Sequence, residues 1–195
     1  MKAHDEGEAG GDPRVCDHYK NAMPYALEIE DPDPDKKASR KQLWHYMASQ
    51  EYTCVSPEMQ EEFLIKYQIP FAERYGLVAY GCCEDLTHKI KSLKAIPNLR
   101  RIAVSPFAKL EESAAEIGTD YVISYRPSPA DMVSYDFSPE RIKRILKRDL
   151  AICKGLHFDI TLKDVETVER DPQRIAKWVA LVKECLLESG IPAEI

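Results

Sequence analysis

Three residues able to do chemistry stand together near the middle of the chain. Cys82, Cys83 and Glu84 directly follow the short apolar segment LVAYG (77–81). A cysteine at the end of a strand can ligate zinc or another soft metal, and its thiol loses the proton on binding. Adjacent residues of an extended chain point to opposite sides, so we expect at most one thiol to face a site. The alternative is that both thiols pack as small hydrophobic side chains.

Further candidates adjoin two other short apolar segments. Arg126 directly follows YVISY (121–125), where its planar guanidinium would suit a carboxylate or phosphate, the alternative being a surface salt bridge. His157 begins HFDITL (157–162) and is a metal-ligand candidate if it faces inward, or otherwise a strand-end histidine with a structural role. Asp164 follows that segment and is either a general acid or base or a polar loop residue.

The elements that would position these residues alternate along the chain. Serine-proline-glutamate at 56–58 and at 138–140 predicts two helix starts, with a capping hydroxyl and proline at the first helical position. The apolar segments between the helices predict four strands, at 77–81, 101–105, 121–125 and 157–162. Strands separated by helices pair in parallel, and functional groups then gather beyond their carboxyl ends.

An additional helix is expected before the first of these strands. The segment KKASRKQLWHYMASQ (36–50) places Leu43, Trp44 and Met47 on one helical face. The predicted fold class is therefore α/β, with four parallel strand–helix units preceded by a helix. That is half of a TIM-type (β/α)8 barrel, whose full form needs about 250 residues. Such a half-barrel would leave two sheet edges and an apolar inner face in water.

Composition and charge limit the possible partners and compartments. The chain has 195 residues and a net charge of −6, and residues 1–35 hold ten acidic against three basic side chains. We interpret residues 1–36 as an acidic, disordered tail and 37–195 as the folded domain. The near-neutral domain argues against nucleic acid as a partner. The sequence lacks an apolar run of about 20 residues and a secretory leader, which predicts no membrane contact and a cytoplasmic location.

Longer stretches of the sequence resemble a known superfamily. They are SPEMQEEFLIKYQIPFAERYGLVAYGCCEDLTHKI, IPNLRRIAVSPFAKLEESAAEIGTDYVISYRPSPA and HFDITLKDVETVERDPQRIAKWV, which together span roughly residues 50–190. They resemble the C-terminal half of uroporphyrinogen-decarboxylase-like (URO-D-like) proteins, nearest to the branch that is similar to corrinoid-dependent methyltransferases. The resemblance implies a β/α barrel of which this chain would be the later half.

The resemblance also implies an activity, a metal and a partner. In the methyltransferase members a zinc ion held by a His-x-Cys motif and a later ligand activates a thiol for methyl transfer. Here Cys82 matches the thiolate ligand, Tyr80 stands at the histidine position, and His157 lies near the later ligand. The implied metal ligands are thus Cys82 and His157, and we take Glu84, Arg126 and Asp164 as candidate catalytic residues. The partner would be a corrinoid protein or a small methyl carrier.

Two other functions are compatible with the same sequence. The chain could be a non-catalytic half-barrel that assembles with a complementary half or with itself as a homo-oligomer. It could also resemble the decarboxylase branch in activity, although the substrate-binding arginines and key acidic residue of that branch come from an N-terminal half that this sequence lacks.

Overall fold

The protein is built on a five-stranded parallel sheet with helices between the strands. The computed structural model describes residues 28–29 and 39–192. The strands are β1 (Trp44–Met47), β2 (Leu77–Tyr80), β3 (Leu99–Val104), β4 (Val122–Tyr125) and β5 (Phe158–Ile160), and they lie in the sheet in chain order. Every neighbouring pair is parallel, so all five carboxyl ends meet at the same edge of the sheet.

The first strand corrects the sequence prediction, which placed a helix at this position. Trp44 pairs with Leu77 and Met47 with Tyr80, which makes β1 an edge strand beside β2. Both faces of β1 carry large side chains, with Trp44 packing on one side of the sheet and Met47 on the other. A short apolar run of this kind does not distinguish strand from helix by its periodicity. The described residues therefore form five strands rather than four.

Helices connect the strands and begin largely where the sequence predicts them. Short 3-10 helices flank β1 at Arg40–Gln42 and Gln50–Tyr52. The longer helical segments are α1 (Pro57–Gln60), a π-helical turn (Glu61–Ile65), α2 (Lys66–Ala72), α3 (Ile90–Leu93), α4 (Leu110–Ile117), α5 (Pro129–Met132), α6 (Pro139–Cys153) and α7 (Gln173–Glu188). The predicted caps are confirmed, since the hydroxyls of Ser56 and Ser138 accept hydrogen bonds from the amides of Met59 and Arg141.

The helices pack against one face of the sheet and form the main core there. The buried side chains of this core come from alternate strand positions and from the inward faces of the helices: Val78, Tyr80, Ile102, Val104, Ile123, Tyr125, Ile65, Leu93, Ile117, Ile142, Leu146 and Val182. Within the described residues, no helix has the length and hydrophobicity needed to cross a membrane.

The opposite face of the sheet is not the apolar surface that was predicted. Over β3, β4 and β5 it carries a bidentate ion pair, in which Arg101 Nε and Nη2 lie 2.5 Å from the two carboxylate oxygens of Asp159. The guanidinium reaches over the intervening β4 and also donates to Thr161 Oγ1 at 3.3 Å. The prediction of an apolar inner face is wrong here because residues 101 and 159, both charged, occupy positions that face away from the helices.

Near β1 and β2 the same face is apolar, and Ile29 packs on it. Trp44 and Ala79 are buried there, and Ile29 packs against them. Glu28 forms an ion pair with Arg100, with 2.7 Å between Glu28 Oε2 and Arg100 Nε. Apart from these two residues, the predicted disordered tail at 1–36 lies outside the described residues.

Candidate functional site

Four of the five predicted site residues lie at the carboxyl edge of the sheet. Cys82 and Glu84 follow β2, Arg126 follows β4, and Asp164 lies beyond β5. The fifth, His157, precedes the first residue of β5 and so lies at the opposite edge. We refer below to the loop residues 82–84, which follow Gly81, as the thiol loop.

The buried carboxylate of Glu84 binds the thiol loop to the loop that follows β1. Its side chain is 3% exposed, and its Oε2 accepts a hydrogen bond from the Cys82 amide at 2.7 Å. Its Oε1 accepts from the Ser49 amide at 2.7 Å and from the Ser49 hydroxyl at 3.3 Å. With both oxygens engaged by groups that follow β1 and β2, the carboxylate positions the loop and is not free to shuttle a proton.

The Cys82 thiol meets a lysine that the sequence analysis did not select. The ammonium group of Lys163, which follows β5, donates to Cys82 Sγ, and the Tyr46 hydroxyl donates to the same sulfur from β1. Burial by itself would raise the pKa of Cys82, but the hydrogen bonds from Lys163 and Tyr46, the contact with Cys83 and the charge of Lys163 outweigh it and lower the pKa. These contacts favour the thiolate form of Cys82.

The two partners of Cys82 keep their protons, as donors to a thiolate must. Burial would lower the pKa of Lys163, but the hydrogen bond to Cys82 and the charge of that sulfur raise it overall. Burial, the hydrogen bond to Cys82 and its charge all raise the pKa of Tyr46. At neutral pH the sulfur is therefore held between an ammonium group and a neutral phenol.

Cys83 lies in the same cluster with the opposite protonation preference. Its sulfur is 3.5 Å from the sulfur of Cys82 and donates a hydrogen bond to Asp164 Oδ2 at 3.0 Å. Burial, together with the hydrogen bond to Asp164 and the contact with the Cys82 sulfur, raises the pKa of Cys83 to about 12. Our prediction that at most one thiol faces the site is wrong, because residues 82–84 form a bend instead of continuing as an extended strand.

Arg126 holds the thiol loop by its backbone. The residue is 4% exposed, and its Nη1 donates to the carbonyl oxygen of Cys82 at 2.7 Å. A surface salt bridge, the alternative in the sequence analysis, is excluded by this burial. Arg126 and Glu84 therefore act on the two polar groups of the same residue, since one binds the Cys82 carbonyl and the other binds the Cys82 amide.

The predicted metal pair is not brought together. His157 is exposed at the amino end of β5, where its carbonyl oxygen accepts from the Ile123 amide at 2.9 Å, and β5 separates it from the thiol loop. Tyr80, at the position of the histidine in the resembling family, is buried in the helix-side core and donates to Gln68 at 3.0 Å. Among the described residues, no group of three or more histidine, cysteine and acidic side chains is arranged to hold a metal ion. These residues do not fit the zinc ligand set that the resemblance implies.

Two residues of the site, Lys163 and Tyr46, were missed. Lys163 directly follows the predicted strand HFDITL, so the rule that selected Asp164 also applied to its neighbour. Tyr46 was hidden by the assignment of residues 44–47 to a helix, which gave them no place at the sheet edge.

Comparisons with known proteins add no assignment to this geometry. No protein-family model matches the sequence, and no significant match was found among curated proteins. The function must therefore be inferred from the site and from the sequence resemblance described above.

Proposed function

We propose that this chain is the C-terminal part of a URO-D-like β/α barrel enzyme and takes part in methyl transfer, with Cys82 as the thiolate nucleophile. The five parallel strands in chain order, with the described helices packed on one face, are consistent with about half of such a barrel. The quoted sequence stretches supply the link to the methyltransferase-like branch. The zinc ion of that branch is not part of the proposal, because Cys82 and His157 lie at opposite edges of the sheet.

The observation that carries the proposal is the contact between the Lys163 ammonium group and Cys82 Sγ. A thiolate is the reactive form of cysteine, and a neighbouring cation stabilises it without a metal. In the proposed step the sulfur attacks a methyl carbon, and an S–C bond forms. The bond between that carbon and its carrier breaks, and its electron pair stays with the carrier. Lys163 and Tyr46 hold the negative charge of the sulfur before the attack.

The partner follows from this step. The carrier must bring an electrophilic methyl group to the carboxyl edge of the sheet, and the resemblance implies a corrinoid protein or a small methyl carrier. The side chains of Cys82 and Cys83 are both half-buried, so a methyl donor would approach them from the exposed side of the thiol loop. Glu84 and Arg126 contribute by fixing the Cys82 backbone, so that the sulfur keeps its position as its charge is lost.

Isotope-labelled methylcobalamin, used as a free methyl donor, tests the proposed reaction. We expect label on the tryptic peptide 75–89, which contains both thiols, and we expect Cys82→Ser to remove it. Lys163→Met should decrease the labelling rate about tenfold, because the sulfur is then largely protonated. The exposed Cys54 is the control in the same digest. If Cys82 reacts readily with iodoacetamide but never takes up the methyl group, the proposal is wrong.

A second candidate function, assembly with another half-barrel, is favoured by the free edge at β5. A groove of about 900 Å³ is lined by residues of β5 and of α7. Its apolar lining includes Phe158, Ile160, Trp178, Val179 and Leu186. Edge strands expose unpaired backbone groups, and a strand added beside β5 would satisfy them and fill the groove.

We expect a second copy to occupy this groove, so that the chain sediments as a dimer at micromolar concentration. Val179 lines the groove and is 39% exposed, so Val179→Glu should shift the protein to the monomer with little effect on its fold. Ile175 lies on the same helix, is similarly exposed and does not line the groove, which makes Ile175→Glu the matched control. A wild-type protein that sediments as a monomer, or a dimer that Val179→Glu leaves intact, would rule out self-assembly at this edge.

A further inference from the structure

The two thiols of the thiol loop are arranged as a reacting pair. Cys82 Sγ and Cys83 Sγ lie 3.5 Å apart, and they need to approach by only about 1.5 Å to reach the usual disulfide bond length. Lys163 contacts both sulfurs, donating to Cys82 and lying 3.7 Å from Cys83 Sγ. Asp164 accepts the hydrogen bond of the Cys83 thiol at 3.0 Å. One sulfur thus has a cation beside it and the other has an acceptor for its proton.

We propose that Cys82 and Cys83 form a reversible dithiol–disulfide site whose oxidant is a hydroperoxide. The residues have distinct roles. Cys82 attacks the peroxide, because its sulfur faces the ammonium group, and Cys83 resolves the product. Both side chains are half-buried, which leaves them accessible to a molecule as small as a peroxide. The inference depends on the thiol geometry alone and holds whether or not the protein transfers methyl groups.

The reaction has two steps, and together they move two electrons from the thiols to the peroxide. In the first, the Cys82 sulfur attacks the terminal peroxide oxygen, an S–O bond forms and the O–O bond breaks. The departing oxygen takes a proton from Lys163, which regains one from water, and leaves as an alcohol. In the second, the Cys83 sulfur attacks the Cys82 sulfur and an S–S bond forms. The Cys82–oxygen bond breaks, and the oxygen leaves as water with the Cys83 proton.

The covalent geometry of neighbouring residues makes this disulfide easy to reduce. Consecutive Cα atoms lie about 3.8 Å apart across a trans peptide, whereas cysteines in ordinary disulfides have Cα atoms about 4.4 to 6.8 Å apart. A bridge between Cys82 and Cys83 is therefore strained, and strained or exposed disulfides are the labile and regulatory ones. A small dithiol would return the site to its starting state.

Oxidation would also change the electrostatics of the site. The Lys163 ammonium group loses the thiolate that accepts its hydrogen bond, and its remaining charged partner among the described side chains is Asp164, with 3.5 Å between Lys163 Nζ and Asp164 Oδ1. Glu84 and Arg126 hold the Cys82 backbone in place, so the approach of the two sulfurs has to come from rotation of the side chains. Because both sulfurs are used in the S–S bond, the disulfide form would lack the Cys82 thiolate.

The experiment treats the wild-type protein with hydrogen peroxide, blocks remaining thiols with N-ethylmaleimide and analyses the tryptic peptide 75–89. We expect this peptide to lose the mass of two hydrogens, to escape N-ethylmaleimide and to be restored by dithiothreitol. It should be oxidised about tenfold faster than the exposed Cys54 in the same digest. A peptide that stays reduced while Cys54 is oxidised would overturn the proposal.

Two variants test the assignment of roles. Cys83→Ser should stop the reaction at the sulfenic acid of Cys82, which dimedone traps on the same peptide. Cys82→Ser should remove the rapid oxidation of the peptide altogether. Trapping of a sulfenic acid on Cys83 in the wild type, or an equal rate of oxidation in Cys82→Ser, would contradict the assigned order. The wild-type measurement still stands if either variant fails to fold.

Discussion

Lys163→Met is expected to slow the reaction of Cys82 with iodoacetamide at neutral pH by about tenfold or more. Burial raises the pKa of Cys82, and the ammonium group of Lys163 is the first of the contacts that bring it back below its usual range. Without that group the burial remains and the main opposing contact is lost. The thiol pKa then rises, and the thiolate fraction falls about tenfold for each pH unit by which the pKa exceeds the pH.

The pH dependence of the rate is the measurement that identifies the cause. In the wild type the rate should rise through a pKa below the usual range of cysteine, whereas in Lys163→Met the same rise should occur at higher pH. At a pH well above both pKa values the two proteins should react at similar rates. Lys154→Met removes the same charge from an exposed position and is the matched control. Superimposable pH–rate profiles for wild type and Lys163→Met would show that the lysine does not stabilise the thiolate.

Gly81→Ala is expected to lower the free energy of unfolding by about 3 kcal/mol, from the combined costs of backbone conformation and overpacking. Gly81 has a φ angle of 100°, which an L-residue with a Cβ adopts only with strain. A Cβ at this position would lie 2.6 Å from Leu86 Cδ1 and 2.9 Å from Ala103 Cβ. Both neighbours are buried, so they have little room to move away.

Gly155→Ala separates these two causes. Gly155 has a φ angle of 83°, but a Cβ there would meet no atom within 4 Å. We expect this control to cost only the backbone term, about 1 to 2 kcal/mol. Urea unfolding of both variants measures the difference. Equal losses of stability would mean that the contacts with Leu86 and Ala103 relax without cost.

The sequence pattern predicts β2 to β5 well because each is an isolated apolar segment between clear helix signals. It fails for β1, whose four residues have large side chains on both faces and directly follow a basic segment. The polar open face was missed for a different reason. Arg101 and Asp159 lie 58 residues apart in the sequence, and only the order of the strands brings them within reach of each other.

The candidate site shows which part of a site can be predicted from sequence. The carboxyl-end rule correctly brings Cys82, Glu84, Arg126 and Asp164 to one edge, since it depends only on strands being parallel. The same rule places His157, which begins a strand, at the opposite edge. The resemblance nevertheless paired His157 with Cys82 as metal ligands, and that prediction is wrong. The roles of Glu84 and Arg126 could not be predicted, because they depend on which way each side chain turns in the folded loop.

The strand order has a consequence for how the protein forms during synthesis. Each strand pairs with the strand that precedes it in the chain, so every new strand–helix unit can add to an edge that is already in place. None of the five described strands has to wait for a partner that is synthesised after a further strand. Such a sheet can grow from its N-terminal end as the chain leaves the ribosome, and β5 is the last strand to add. Lys163, which follows it, therefore reaches Cys82 only after β5 has joined the other four described strands.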